Sequence, residues 1–279
     1  MDKKEHIISH SVSTSEKVLF LKDPRNYAEH PDLIETIETH MSFLFLTKNR
    51  VYKMKKPVKL NSIDFSTLEA RELNCREEFR INKELAKGVY LDILSLNTDE
   101  SGNLHWDGKG KAVDWLVKMK RLKEEHLLHK LIQSGNIDPA MLKKTAIKLA
   151  DFYHTRPEVP FEASEYLNRL KAKITKNHLE LLNPEFELSV KGLQSLYTEQ
   201  LEFLEMHPDL FTARVKAGKI IEAHGDLKPE HICLEKEPLI IDRLEFDQDL
   251  RILDPAEELA FLAVACELLK SPETGAVFY

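Results

Sequence analysis

Two aspartates separated by one short hairpin constrain this chain more than any other feature. Asp226 sits in the polar loop His224-Gly225-Asp226-Leu227-Lys228-Pro229-Glu230-His231, which runs into apolar residues 232–234. Asp242 ends the next apolar run, Leu239-Ile240-Ile241. Two short apolar runs split by a polar turn read as a hairpin, and a hairpin this short carries the second aspartate back beside the first. Ordinary turn aspartates would not need that pairing, so the fold has to present both carboxylates to one cleft.

Glycine placement removes the common phosphate loops. None of the nine glycines precedes Gly88, so the first third has neither GxxxxGK[ST] nor GxGxxG, and neither occurs later. Gly108-Lys109-Gly110, after Trp106-Asp107, reads as a hairpin turn. The three cysteines, Cys75, Cys233 and Cys266, are isolated and odd in number, as reduced thiols of a cytosolic protein would be. A formal net charge of −7 gives no general pull toward nucleic acid or an anionic membrane. There is no apolar run long enough to span a bilayer, and the start, MDKKEHIISHSVSTSEK, has no apolar core of signal-peptide type. A cytoplasmic protein is expected, with neither nucleic-acid nor membrane partners.

Residues 1–14 read as a polar N-terminal segment. A short helix is predicted from Glu16 to Leu21, a loop at Asp23-Pro24-Arg25-Asn26, and a second short helix from Pro31-Asp32 to about Ile37. Residues 41–47 and 50–55 read as strands of one antiparallel hairpin. A long helix is predicted over 66–87, opened by the capping-box pattern Ser66-Thr67-Leu68-Glu69, with Leu73, Phe79, Ile81 and Leu85 on a partly buried side. Strands near 93–97 and 112–119 follow, joined through the glycine turn. From about Glu124 the pattern turns helical, over 124–133, 138–154, 163–182, 189–206 and 208–217. The hairpin interrupts it, and a last helix runs from Pro255 to about Leu269. This predicts a two-lobed α+β protein: an N-lobe over 15–119 with four or five strands and one long helix, and a mainly helical C-lobe over 120–279 that holds loop 224–231 and strand 239–242.

Phosphoryl transfer needs a cation on the phosphates, a divalent metal with its ligands, and a carboxylate near the attacking hydroxyl. Asp226 is the candidate carboxylate, able to orient a hydroxyl and take its proton; Lys228 can neutralise the moving group. Asp242, at a strand end, is the candidate metal ligand. Lys53 in Val51-Tyr52-Lys53 is the candidate phosphate lysine, with Lys55 of the same facing as its rival, and Glu78 or Glu77 as its helical partner.

These strings resemble the aminoglycoside phosphotransferase (choline kinase-like) superfamily, whose pattern is HGDxxxxN, then IDxE or IDWE, then GDPxxDLA. This chain has HGDLKPEH, Ile241-Asp242-Arg243-Leu244-Glu245, and Leu253-Asp254-Pro255-Ala256-Glu257-Glu258-Leu259-Ala260. More closely, it is similar to an uncharacterised bacterial group whose kinase-like domain often precedes a P-loop ATPase-like domain. That likeness rests on Glu38-Thr39-His40-Met41-Ser42-Phe43, Tyr52-Lys53-Met54-Lys55-Lys56-Pro57-Val58, Asp64-Phe65-Ser66-Thr67-Leu68-Glu69 and Leu244-Glu245-Phe246, and runs from about residue 20 to 265.

The resemblance implies a protein-kinase-like fold and an ATP-dependent phosphotransferase acting on a hydroxyl of a small-molecule acceptor. By it, Asp226 is catalytic, His231 and Asp242 hold Mg²⁺ or Mn²⁺, and Lys53 pairs with Glu78. Met119-Lys120-Arg121-Leu122 becomes a hinge whose backbone groups bind adenine, with Met119 and Arg121 in the cofactor site, and Glu258 supports the catalytic loop. His231 stands where the pattern has asparagine, and an imidazole suits Mn²⁺ better than Mg²⁺. The chain ends soon after the last helical pattern, where the superfamily continues with further helices. A shortened C-lobe is therefore expected, with a P-loop ATPase only as a partner in trans.

Two other readings share the fold. One is an inactive nucleotide-binding pseudokinase or scaffold, suggested by His231. The other is a protein Ser/Thr kinase, suggested by Asp226-Leu227-Lys228-Pro229-Glu230; Gly225, Asp242-Arg243-Leu244 in place of DFG, and the lack of an APE segment oppose it.

Overall fold

Alternating apolar residues in 42–55 build the first layer of the protein, whose structure is a computed structural model describing residues 12–60 and 63–279. Residues 1–11 of the expected polar segment lie outside the described residues. After α1 (Thr14–Lys22), strands β1 (Glu35–Glu38), β2 (Ser42–Leu46) and β3 (Arg50–Lys55) form an antiparallel meander. The short ribbon β4 (Lys59–Leu60) and β5 (Ile63–Asp64) leads to α2 (Leu68–Leu85). Strands β6 (Tyr90–Thr98), β7 (Leu104–Trp106) and β8 (Lys111–Lys120) complete a six-stranded sheet in the order β1-β2-β3-β8-β6-β7.

The period of two divides β3 between two cores. Tyr52 and Met54 pack with Phe45, Leu116, Leu21 and Tyr27 on the outer face. Val51 packs with Leu46, Val117, Met119 and Cys75 on the face that meets α2. Lys53 and Lys55 alternate with Tyr52 and Met54, so they share the α2 side with Val51, and that facing aims two lysines into the interior.

Several expectations change here. The helix expected over Pro31–Ile37 is strand β1, in register with β2 from Glu35↔Leu46 to Glu38↔Phe43; β-branched Thr36 and Ile37 complete a sheet edge more readily than an isolated helical turn. The cap of α2 is Thr67, whose hydroxyl accepts from Ala70 N at 3.1 Å, while Ser66 bonds Asp64. Glu69 is therefore not at the third helical position and no capping box closes there. Leu73 is exposed, and the buried face of α2 runs through Arg71, Asn74, Cys75, Glu78, Ile81, Asn82 and Leu85. Apolar spacing misread that face because half of it is polar. The glycine turn joins β7 to β8, with β7 paired to β6 as an additional strand.

The second lobe is helical: α3 (Leu128–Ser134), α4 (Pro139–Thr155), α5 (Ala163–Leu181), α6 (Val190–Met206) and α7 (Pro208–Lys216). Strand β9 (Ile221–Glu222) leads into loop 224–231; β10 (Ile232–Cys233) and β11 (Leu239–Ile240) form the expected hairpin. Strand β12 (Ile252–Leu253) pairs back on β9, and α8 (Pro255–Leu268) and α9 (Pro272–Ala276) follow. Leu149 and Phe152 of α4, Leu227, Ile232 and Ile240 of the hairpin region, and Leu262 of α8 share one core, which fixes the loop on a helical platform. Among the described residues no helix is long and apolar enough to cross a membrane.

Candidate active site

The hairpin does bring the two aspartates together, and the ring of His231 lies between them. His231 Nδ1 is 2.8 Å from the Asp226 backbone oxygen and 3.7 Å from Asp226 Oδ2, while its Nε2 is 3.5 Å from Asp242 Oδ2. A carbonyl oxygen only accepts, so Nδ1 carries a proton, and Nε2 on the other side of the ring faces the Asp242 carboxylate. Lys228 Nζ donates to Asp226 Oδ2 at 2.8 Å.

His224 clasps loop and strand. Its Nε2 lies 2.9 Å from the Ile241 carbonyl, and its Nδ1 accepts the Asp226 N–H at 3.3 Å. Both nitrogens are used by a neutral ring. Burial is the main reason its pKa is pushed down to about 3, with His231 adding to the effect. The unfolded chain takes up this proton near the ordinary histidine value and the folded chain does not, so this contribution is full above about pH 6.5 and is lost as pH falls toward 3. Between about pH 7 and pH 5.5, unfolding free energy is expected to drop by about 1 kcal/mol from this group. Urea titrations at the two pH values should show a smaller drop in His224→Asn; an equal drop in both proteins would remove His224 as the cause.

Glu258, from α8, accepts the N–H groups of Gly225 at 2.6 Å and His224 at 3.3 Å, and the hydroxyl of Tyr153 at 2.6 Å. It thus occupies the loop-supporting position. Gly225 has φ +90, and a Cβ there would meet Arg251 Cγ at 3.0 Å and Leu244 Cβ at 3.2 Å, so any other residue would strain the turn and push on both neighbours.

From the other lobe, Lys53 Nζ lies 2.9 Å from Glu78 Oε1 and 2.9 Å from Asp242 Oδ1. Lys55 is not merely a rival: its Nζ is 2.5 Å from Glu78 Oε2 and also contacts Glu245. Two lysines and three carboxylates thus form one network, buried at Lys55 and Glu78 and open to the cleft at Asp242. Burial alone would raise the Asp242 carboxyl, but Lys53 and then His231 outweigh it and hold it well below the usual carboxylate range. Burial would likewise neutralise Lys53; Asp242 and Glu78 keep it charged. Asp242 has φ +60, a left-handed conformation that aspartate tolerates better than most residues, and its N–H donates to Tyr90 OH at 3.1 Å.

These groups line a cleft of about 350 Å³ walled by Leu44, Met119 and Ile241. Met119 is there as expected. Arg121 is not: its guanidinium bonds the Thr47 carbonyl at 3.1 Å and Glu35 at 2.7 Å, and its N–H goes to the Asn49 carbonyl at 3.0 Å. Glu77 also faces elsewhere, toward Arg80 and Arg251, leaving Glu78 as the partner of Lys53. Sequence reasoning gave no role to Glu245 or Tyr90. The signal for Glu245 was the repeat of lysine at 53 and 55, since a second inward lysine needs a carboxylate of its own.

Among the described residues no group of three or more His, Cys, Asp or Glu is arranged to hold a metal. The pair His231 Nε2 and Asp242 Oδ2 does fit a shared small cation. Two donors each about 2.1 Å from one ion stand roughly 3–4 Å apart, and these two stand 3.5 Å apart. Mg²⁺-type sites ordinarily take one or two protein ligands and complete their shell with phosphates and water.

No protein-family model matches the chain. Uncharacterized proteins of Mycobacterium tuberculosis (strain ATCC 25618 / H37Rv) and Mycobacterium bovis are each 31% identical to it over 248 residues, 88% of this chain and 48% of theirs. The chain therefore spans about half the length of these curated relatives. Among solved structures, APH(2'')-IIia in its GDP and kanamycin complex matches 95% of this chain and 82% of its own, with 16% identity and a TM-score of 0.50. That likeness shows the fold: the two-lobed, protein-kinase-like fold of the aminoglycoside phosphotransferases.

Proposed function

We propose that this chain, with its aminoglycoside phosphotransferase-like fold, is an ATP-dependent phosphotransferase acting on a hydroxyl of a small molecule. One observation carries the reading. Lys53, Asp226, His231 and Asp242, drawn from both lobes, converge on one cleft, with buried Glu78 holding Lys53 from behind. In this reading Lys53, held by Glu78, meets the nucleotide phosphates, and the apolar walls Leu44, Met119 and Ile241 receive the base. Asp226 hydrogen-bonds the acceptor hydroxyl and takes its proton as the acceptor oxygen bonds the γ-phosphorus and the bond to the leaving nucleotide breaks. Lys228, beside Asp226, offsets charge on the phosphoryl group in transit. Asp242 and His231 are the residues that would hold a divalent cation, which when bound neutralises phosphate charge as a Lewis acid.

The test is nucleotide turnover and nucleotide-induced thermal shift, with ATP and GTP, with Mg²⁺ and Mn²⁺, against small-molecule hydroxyl and protein acceptors. Metal-dependent turnover on small molecules is expected, faster with Mn²⁺ because an imidazole replaces an amide oxygen among the donors. Equal rates with both metals would count against a ligating His231. Transfer to proteins alone would favour a Ser/Thr kinase, and a shift with no turnover an inactive nucleotide-binding protein. No shift and no turnover would overturn the nucleotide site altogether.

A further inference from the structure

Arg243 follows Asp242 directly and is 2% exposed, an unusual place for a guanidinium. All three of its nitrogens are engaged. Nε donates to the Ala223 carbonyl at 2.7 Å, Nη2 to the Glu222 carbonyl at 2.9 Å, and Nη1 to Glu84 Oε2 at 3.0 Å. Ala223 and Glu222 are the residues that enter the catalytic loop, and Glu84 belongs to α2. The backbone of Arg243 is clamped as well: its N–H donates to Asn82 Oδ1 at 2.8 Å, and its carbonyl accepts from Asn82 Nδ2 at 3.3 Å. Asn82 lies one helical turn beyond Glu78 on α2.

One side chain therefore ties together the supports of three acids: Glu78 through α2, Asp242 through its own peptide, and Asp226 through the strand that leads to it. Arg251 repeats the tie from the side. It joins Glu222 at 2.9 Å, Glu77 of α2 at 3.1 Å and the Leu244 carbonyl at 2.7 Å. In the DFG pattern a phenylalanine follows the metal aspartate, and its packing sets the active state. Apolar packing can slide; a guanidinium fork with directed bonds to two other segments cannot without losing several of them at once.

We propose that Arg243 is a positioning residue for phosphoryl transfer: it fixes α2 to the catalytic loop, so that α2 moves with the C-lobe and Glu78, Asp242 and Asp226 keep one arrangement. This rests on the phosphotransferase reading above, and its test has an arm that does not. Arg243→Lys keeps the charge and loses the fork; Glu84→Gln removes one tie at a partly exposed carboxylate and decides the matter if the first variant does not fold. Hydrogen exchange is measured over 77–85, over 221–226 and over β2–β3 as a control, with kcat and KM for ATP taken well below each melting temperature.

Exchange in both 77–85 and 221–226 is expected to rise about tenfold or more in Arg243→Lys with β2–β3 unchanged, and less in Glu84→Gln. The kcat is expected to fall about 10–100-fold while KM stays within about threefold, because misplaced acids affect the transition state more than binding. Faster exchange confined to 222–223, or a rise spread evenly over the sheet, overturns the proposal. So does kcat unchanged in an active enzyme. If wild-type protein neither binds nor turns over nucleotide, the phosphotransferase reading fails while the exchange arm still decides whether Arg243 fixes α2.

Discussion

Asp226→Asn is expected to lower turnover by about 10²–10⁴-fold while leaving the nucleotide-induced thermal shift in place. Asparagine keeps the size of the side chain and can still accept a hydrogen bond from Lys228, so the loop has no reason to move. What it loses is the negative charge that faces Lys228 at 2.8 Å and, on the proposed reading, the capacity to take the acceptor's proton. The backbone of residue 226 is held independently of that carboxylate, through His224 Nδ1 and His231 Nδ1. The nucleotide's contacts would come from Lys53 and the apolar walls of the cleft, which this substitution does not touch. Single-turnover and steady-state assays on purified protein would check it. Turnover within about tenfold of wild type would assign the proton transfer to another group; a lost thermal shift would mean that Asp226 also shapes the nucleotide site.

The largest effect on stability is expected away from the cleft, at Asp114. Its carboxylate is buried between two buried cations: Oδ2 is 2.9 Å from Lys17 Nζ of α1, and Oδ1 is 2.8 Å from Arg71 Nε of α2. Arg71 also donates to the Phe65 and Thr67 carbonyls at 3.0 Å, so it closes the loop that enters α2. Asp114→Ala leaves both cations out of water without a counter-charge, and removing one partner of a buried ion pair costs about 3–5 kcal/mol. For a domain of this size that corresponds to a fall in melting temperature of roughly 6–15 °C. Combining Asp114→Leu with Lys17→Met and Arg71→Met is expected to recover much of the loss, because the desolvated charges go together. A melting temperature within about 2 °C of wild type in the single variant would show that water reaches the triad and that it is not buried in solution.

Legibility followed distance along the chain. The pairing of Asp226 with Asp242 could be read because a short hairpin joins them, and β2–β3 could be read because alternation and a turn are adjacent in sequence. Lys53 could be read as an inward strand lysine with Lys55 as its rival; the choice of Glu78 over Glu77 came with the family resemblance, and the meeting of Lys53 with Asp242 across 189 positions had no local signal. Residues 31–37 looked helical, yet Glu35 stands on an edge strand, and its carboxylate pairs with the guanidinium of Arg121, a contact with no signal in the local sequence. Asp114, Arg243 and Arg251 look in sequence like ordinary surface charges.

By itself the sequence determined the two lobes, the strand lysines, the polar loop 224–231 and the carboxylate hairpin, because side-chain periodicity and short-range chain geometry decide those. Only the tertiary structure decided which charges are buried, which carboxylate each lysine shares, that His231 turns one nitrogen to each aspartate, and that α2 is tied to the C-lobe. The reason is physical: an unpaired charge is tolerated in water and costly in a protein interior, and which interior a side chain enters depends on elements far away in the chain.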